Sequence, residues 1–545
     1  MSFAIALIWP QPIAPVHSLG ISALVAVIPL VVVLVLMGGL RKSGLMATGC
    51  GLGSAILLAT LVWHMPAKLA GWSLVYGSAF AVWGILWIVL TALWLYNLAM
   101  ECGSFDLLRR WMERHASGDE CIQAIFVAFC FGALLEGSAG FGAPVAVTAF
   151  LLVGLGFKAR KSVVVSLIAN TAPVAFGSIG VPIVALAGVT GLDISKLSSM
   201  IGRQLPFLSL ILPAYLVVVV GGGEGLRRTW PAALVAGGSF ATVQFLVSNL
   251  WGPYATDILS SLISIAALTG FLRMWKPKGA ASSAAEKRAG GVAADEAAEK
   301  TLTMKEEFRA WWPWAALSVV MILWAFFKLF SKGQIAVAIP SLHNGVLITL
   351  YQKAYAAIFT FQPLAAGTAA FATCVVTAVS FRIGPRLFFK AGWRTLRQLP
   401  LPGITVLLIV GLAYLYNYSG MAYTVGAALS STGAMFPVVS SFLGWVACFL
   451  SGSDTASNLL FGNLQVAAAH QLHLNPVLLA ATNSSGAVTG KMISPQNIAI
   501  GVTTVGLVGE EGKVLHSTFW HSVLLAGMIG VLTYAQAHWL GWMVP

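Results

Sequence analysis

Apolar stretches of about 20 residues recur along nearly the whole chain, separated by short polar turns. Each is long enough to cross roughly 30 Å of hydrocarbon as a helix. The pattern predicts an all-α polytopic membrane protein with about twelve transmembrane helices. These fall near 20–40, 44–64, 72–98, 162–190, 204–221, 229–249, 253–273, 311–331, 354–378, 401–417, 476–509 and 516–540. Two further apolar stretches, about 121–156 and 437–470, read as re-entrant hairpins. Their centres carry helix-breaking residues where an unbroken span would not.

In the first, "LLEGSAGFGAP" places Gly137, Gly140 and Gly142 before Pro144, weakening one helix and suiting the start of the next. In the second, "FLSGSDTASNLLFG" repeats the Gly-Ser pair as Gly452-Ser453. Downstream, "ANTAPVAFGSIGVP" matches "TNSSGAVTGKMISP" at a near-constant shift, with Asn170 on Asn483, Gly177 on Gly490 and Pro182 on Pro495. An odd number of crossings separates the two copies, so they run in opposite directions. Inverted repeats with broken helices are a recurring transporter design, with the substrate site near the midplane. Backbone freed from helical bonding is tolerated there only against protein or a wet cavity. Pro173, Gly177, Gly180 and Pro182 are therefore expected to interrupt the span at 162–190. Tight helix packing through small residues is the alternative reading of each glycine taken singly.

Composition agrees with a membrane protein: 58% of the 545 residues are hydrophobic and 9% charged. The net charge of +13 raises a nucleic-acid reading, but topology accounts for it better. With both termini outside, most of the 31 Lys and Arg fall on the cytoplasmic side. The run Arg382, Arg386, Lys390, Arg394 and Arg397 then reads as a topology anchor. The N-terminal stretch lacks the basic start of a signal peptide and is treated as mature chain. Residues 275–309, rich in Ala, Gly, Glu and Lys, read as a cytoplasmic linker with a helical end. It joins a first membrane half, 1–274, to a second, 310–545. The six cysteines are scattered without metal spacing.

Of the 18 Asp and Glu, Glu136 and Asp454 fall well inside predicted membrane segments, one beside each Gly-Ser pair. Intramembrane acids are costly and functional by default. Burial favours the neutral form of a carboxyl, so both are candidates for proton coupling. A structural acid bonded to hairpin backbone is the alternative for each. Lys491 is the basic residue at comparable depth, either the counter-charge for an anionic substrate or the partner of Asp454. Pairing with Asp454 would keep that acid ionised and leave Glu136, matched by no lysine in its own copy, as the proton carrier. Substrate contacts are expected from Gly137, Ser138, Asn170, Thr171, Ser453, Asn483, Ser484 and Lys491. Half-helix N-termini at the breaks would add backbone N–H groups, which suit a carboxylate. His470 and His473 sit at the outer end of the second hairpin, where solvation is the expected role. No HExxH, Walker loop, Cys/His metal set or GxSxG in a plausible setting is present, so no catalytic residue, metal or cofactor is expected. A passive channel and an intramembrane enzyme are the competing classes; buried acids favour coupling over the first, and the missing catalytic set weighs against the second.

The motifs "GALLEGSAGFGAPVAV", "SLIANTAPVAFGSIGVPI" and "SGSDTASNLLFGNLQ" resemble those of the bacterial L-lactate permease family. The resemblance covers essentially the whole chain. It implies a secondary transporter of the bacterial cytoplasmic membrane that imports L-lactate, with D-lactate and glycolate, together with protons. It also implies an elevator-like movement of the hairpin-bearing part. A sodium-coupled or uncoupled transporter of another small carboxylate is the alternative. Expected partners are 2-hydroxy monocarboxylates, protons and lipid, with a second copy of the chain a further candidate and no nucleic acid.

Overall fold

The protein is a computed structural model that describes residues 8–40, 42–115, 119–140, 142–275, 302–507 and 509–545. It is built from helices. Ten are long and apolar enough to cross a membrane, or eleven if the bent pair Ala159–Ala169 and Val174–Thr190 is one span. The apolar pattern predicts twelve apart from the hairpins, whereas the ten include Glu120–Ser138 and Met421–Ser451, each with one hairpin arm; the expected spans that are not counted among the ten have identifiable causes. The expected spans at 204–221 and 229–249 are the two arms of Leu205–Leu250, a run that is counted once and is broken at Gly222, where φ is 62°. The run doubles back there: Ser209 Oγ donates to Gln244 Oε1, and a Cβ on Gly237 would stand 2.4 Å from the Leu210 carbonyl. The expected span at 354–378 starts late, because Ile358–Phe361 pairs as a strand with Ile335–Ala338. Its helix is the shorter Ala366–Ser380. Residues 276–301 of the expected linker lie outside the described residues, and its end opens the helix Met304–Phe326 with a Thr303/Glu306 capping box.

Both expected hairpins are helix–turn–helix units. The first runs Glu120–Ser138, turns, and returns as Ala143–Gly154; its arms pack on each other. Gly140 and Gly142 carry the turn at φ 61° and 81°, angles that any side chain would strain. The first arm is enclosed by protein along its length. Its base is pinned: Asp119 caps the helix and pairs with Arg228 at 2.8 Å. The second hairpin joins Phe436–Ser451 to Asp454–Gln471 through Gly452, at φ 71°. After each hairpin comes a broken helix. Ala159–Ala169 bends by 66° into Val174–Thr190, with Ser178, Ile179 and Gly180 left-handed at the break. Pro476–Gly490 stops at a short turn, Lys491–Ile493, before Pro495–Thr504.

Two packing groups result. Helices Leu19–Leu34, Gly44–Leu61, Ala67–Glu101, Met304–Phe326, Ala366–Ser380, Pro385–Gln398 and Pro400–Leu429 associate chiefly with one another. The basic helix Pro385–Gln398 docks in this group through Lys390 and Arg394, at 2.7 and 3.2 Å from Glu101. The hairpins, the broken helices, Leu205–Leu250, Thr256–Met274 and Glu511–His538 form the other group. They meet where Pro400–Ser419 lies against Gly177–Thr190 and Asp454–Gln471, and Met421–Leu429 against Asp454–Gln471. Tyr414 Oη donates to the Gly188 carbonyl at 3.1 Å, and Asn417 Nδ2 to that of Val189 at 3.1 Å.

Candidate functional site

The hairpin tips and both helix breaks converge on one cavity of about 180 Å³. Sites for drug-sized ligands run to about 300–1,000 Å³, so this one suits a molecule of a few heavy atoms. Four helices begin at its wall: Ala143–Gly154 behind Gly142, the regular part of Gly177–Thr190 at Val181 and Pro182, Asp454–Gln471 behind Ser453, and Pro495–Thr504 at Gln496 and Asn497. A helix start carries unpaired N–H groups and a positive dipole end, though the Ala456 and Asn497 N–H groups are already taken by the Ser453 and Ser494 hydroxyls. A larger cavity of about 750 Å³ lies beside Tyr76, Phe80, Trp83, Gly188 and Tyr414, but none of the buried acids lines it.

Glu136, Asp454 and Lys491 line the small cavity. Of the two readings of Lys491, the pairing with Asp454 is not what the structure has. Lys491 Nζ donates to Glu136 Oε1 at 2.8 Å, and Asn170 Nδ2 donates to Glu136 Oε2 at 2.9 Å. Both charged side chains are less than a tenth exposed. The ion pair therefore joins the first hairpin to the second broken helix. Gly177 makes room for it: a Cβ there would stand 2.7 Å from Glu136 Oε1. Asp454 instead accepts from Ser484 Oγ at 2.7 Å through Oδ2, while Oδ1 has no hydrogen-bond partner among the described residues.

The other expected contacts divide. Ser453 lines the cavity and caps its helix, accepting from Ala456 N at 3.3 Å. Ser138 spends its hydroxyl on the Leu134 carbonyl one turn back at 2.7 Å. Asn170 acts on Glu136, and Thr171 Oγ1 is buried without a partner among the described residues. Asn483 is held by Gln465, Ser457 and Asn458, away from the cavity wall, and Ser484 reaches Asp454. Gly137 is a packing position: a Cβ there would stand 2.7 Å from Asp257 Cβ.

Asp257 escapes the sequence reading. It lies near the start of the expected span at 253–273 and is not among the candidate residues, yet it is 1% exposed, and neither carboxyl oxygen has a partner among the described residues. The available signal is the pairing of an acid with the small residue Gly137, which no linear reading connects. Ser178, Gln496 and Asn497 also line the cavity. Asn497 Nδ2 ties the second tip down by donating to the Gly452 carbonyl at 3.0 Å.

A small cavity between hairpin tips, inside a bundle of helices long and apolar enough to cross a membrane, is an arrangement shared with secondary transporters. Residues 22–540 match the L-lactate permease family model, and the chain belongs to that family. It is 42% identical to the glycolate permease GlcA of Escherichia coli K12, over 97% of this chain and 98% of that one. It is 40% identical to an L-lactate permease of Salmonella typhimurium, over 99% of this chain and all of the relative. An L-lactate permease of Bacillus subtilis is 39% identical, over 98% of this chain and all of the relative.

Proposed function

We propose that the protein is a proton-coupled importer of L-lactate and related 2-hydroxy monocarboxylates, D-lactate and glycolate among them. Its place is the bacterial cytoplasmic membrane, with both termini outside. The relatives named as L-lactate and glycolate permeases support this substrate class. The observation that carries the reading is the convergence of four helix N-termini and Lys491 on one small cavity. That set of groups favours a carboxylate over a neutral or cationic solute.

Charge balance supplies the coupling. Lys491 is the buried Lys or Arg among the described residues, and Glu136, Asp257 and Asp454 are buried acids of the same half-helix cluster. A further anion entering without a proton would leave uncompensated negative charge away from water, which is costly. Lys491 is the cation the anion can engage, and engaging it loosens Lys491 from Glu136. Glu136 then takes a proton, so that substrate and proton are bound together. Release of the anion returns Lys491 to Glu136 and expels the proton.

Movement is assigned to the group that holds both hairpins, sliding as an elevator against Pro400–Leu429. The two side-chain bonds to the Gly188 and Val189 carbonyls are few enough to exchange along such an interface. The test is uptake of radiolabelled L-lactate into proteoliposomes under an imposed pH gradient. Accumulation should follow that gradient and collapse with a protonophore. Accumulation driven by a Na⁺ gradient alone, or simple equilibration under both gradients, would contradict proton symport.

A further inference from the structure

We propose that Asp454 reads the 2-hydroxyl group of the substrate, so that the site selects 2-hydroxy acids over acids of the same shape that lack the hydroxyl. The proposal rests on the reading of the cavity as a monocarboxylate site. It comes from a directed chain of buried hydrogen bonds that ends on one oxygen of Asp454. Gln465 Nε2 donates to Asn483 Oδ1 at 3.2 Å, and Asn483 Nδ2 donates to Asn458 Oδ1 at 3.0 Å. Asn458 Nδ2 donates to Ser484 Oγ at 3.2 Å, and Ser484 Oγ donates to Asp454 Oδ2 at 2.7 Å. Because Ser484 already receives a donor, its single hydroxyl proton is directed to Asp454.

Four side chains thus fix one carboxyl oxygen and leave the other, Oδ1, without a donor among the described residues. A buried acceptor left unmade is unfavourable, and a ligand that brings a hydroxyl removes that deficit. Lys491 and the helix N-termini engage the carboxylate end of the substrate. The two ends of a small 2-hydroxy acid then have separate partners on the wall of a cavity of about 180 Å³. Asn483 and Ser484, which do not line the cavity, are positioning residues that aim Asp454.

The experiment measures competition by matched pairs, lactate against propionate and glycolate against acetate, for radiolabelled L-lactate binding to the purified full chain. Wild-type protein should favour the hydroxylated member of each pair by about tenfold to a hundredfold. Asp454→Ala should bring both ratios close to one while still binding propionate and acetate. Ser484→Ala, which removes no substrate contact, should lower the ratios part-way, and Ser484→Thr should restore them. If Asp454→Ala fails to fold, the two Ser484 variants decide. Ratios unchanged in Asp454→Ala or in Ser484→Ala would overturn the proposal, as would equal loss of both members of a pair. Wild-type protein that binds lactate and propionate alike would overturn it and leave the carboxylate site standing. Wild-type protein that binds neither would overturn the site reading and this proposal together.

Discussion

Lys491 Nζ and Glu136 Oε1 are 2.8 Å apart, although 355 positions separate the residues in the chain. One comes from the first hairpin and the other from the break of the second broken helix, so the contact exists only when the two halves of the chain interlock. Without the other half, Glu136 would be buried with no basic residue beside it, which the membrane interior tolerates poorly. The ion pair accordingly ties the assembly of the two halves to the construction of the site.

Removing only the lysine should therefore be worse for stability than removing both charges. Lys491→Met leaves Glu136 buried without its counter-charge, an effect of about 3–5 kcal/mol. The double variant Lys491→Met/Glu136→Gln should recover most of the thermal stability in detergent while lactate binding stays lost. A single variant as stable as the double would mean that the ion pair contributes nothing to the fold.

Gly177 is expected to be intolerant for a reason separate from backbone freedom. Its Cβ would meet Glu136 Oε1 at 2.7 Å and its Cγ at 3.1 Å, so Gly177→Ala pushes the carboxyl off both Lys491 and Asn170. Overpacking of this kind costs about 1–3 kcal/mol, and uptake should fall at least about tenfold. Gly154→Ala, where nothing lies within 4 Å of the added carbon, serves as the neutral control. Equal activity of the two variants would show that Glu136 can move without consequence.

Much of this arrangement is legible in the sequence, and the parts that are not share a cause. Gly140, Gly142 and Gly452 announce the hairpin turns, and Pro173 to Pro182 announce the first break, because glycine and proline act on the local backbone. Glu136, Asp454 and Lys491 stand out because charge is rare in apolar runs. Which acid Lys491 meets depends on how the halves interlock, and a reading confined to one copy pairs it wrongly with Asp454. Asp257 is hidden for the same reason: its burial comes from hairpin packing over Gly137, not from its own stretch. Ser138 shows the converse limit, since a hydroxyl beside a break is as well satisfied by the preceding turn as by a ligand.

Relative movement of the two helix groups is open to a direct trap. A Cβ on Gly426 would stand 2.4 Å from Ala467 Cβ, across the contact between Met421–Leu429 and Asp454–Gln471. Cysteines at both positions, in a background lacking the native six, must move apart by about 1 Å or more to reach the roughly 3.5–4.5 Å Cβ separation of a disulfide, so uptake by the reduced double variant is the control. Oxidation should arrest uptake and reduction restore it. Full uptake by the oxidised, cross-linked protein would contradict sliding at this interface.

Coupling rests on Glu136 binding the transported proton when substrate takes its place on Lys491. The most direct measurement compares two modes of lactate movement in proteoliposomes containing Glu136→Gln. Exchange of labelled for unlabelled lactate across the membrane requires no net proton transfer and should persist. Accumulation driven by a pH gradient should be lost, while Asp454→Asn, which weakens the hold on the 2-hydroxyl, should still accumulate lactate in response to the gradient once lactate is raised to saturate the site. If Glu136→Gln still concentrates lactate in response to the pH gradient and Asp454→Asn does not, the proton is carried by Asp454 and not by Glu136.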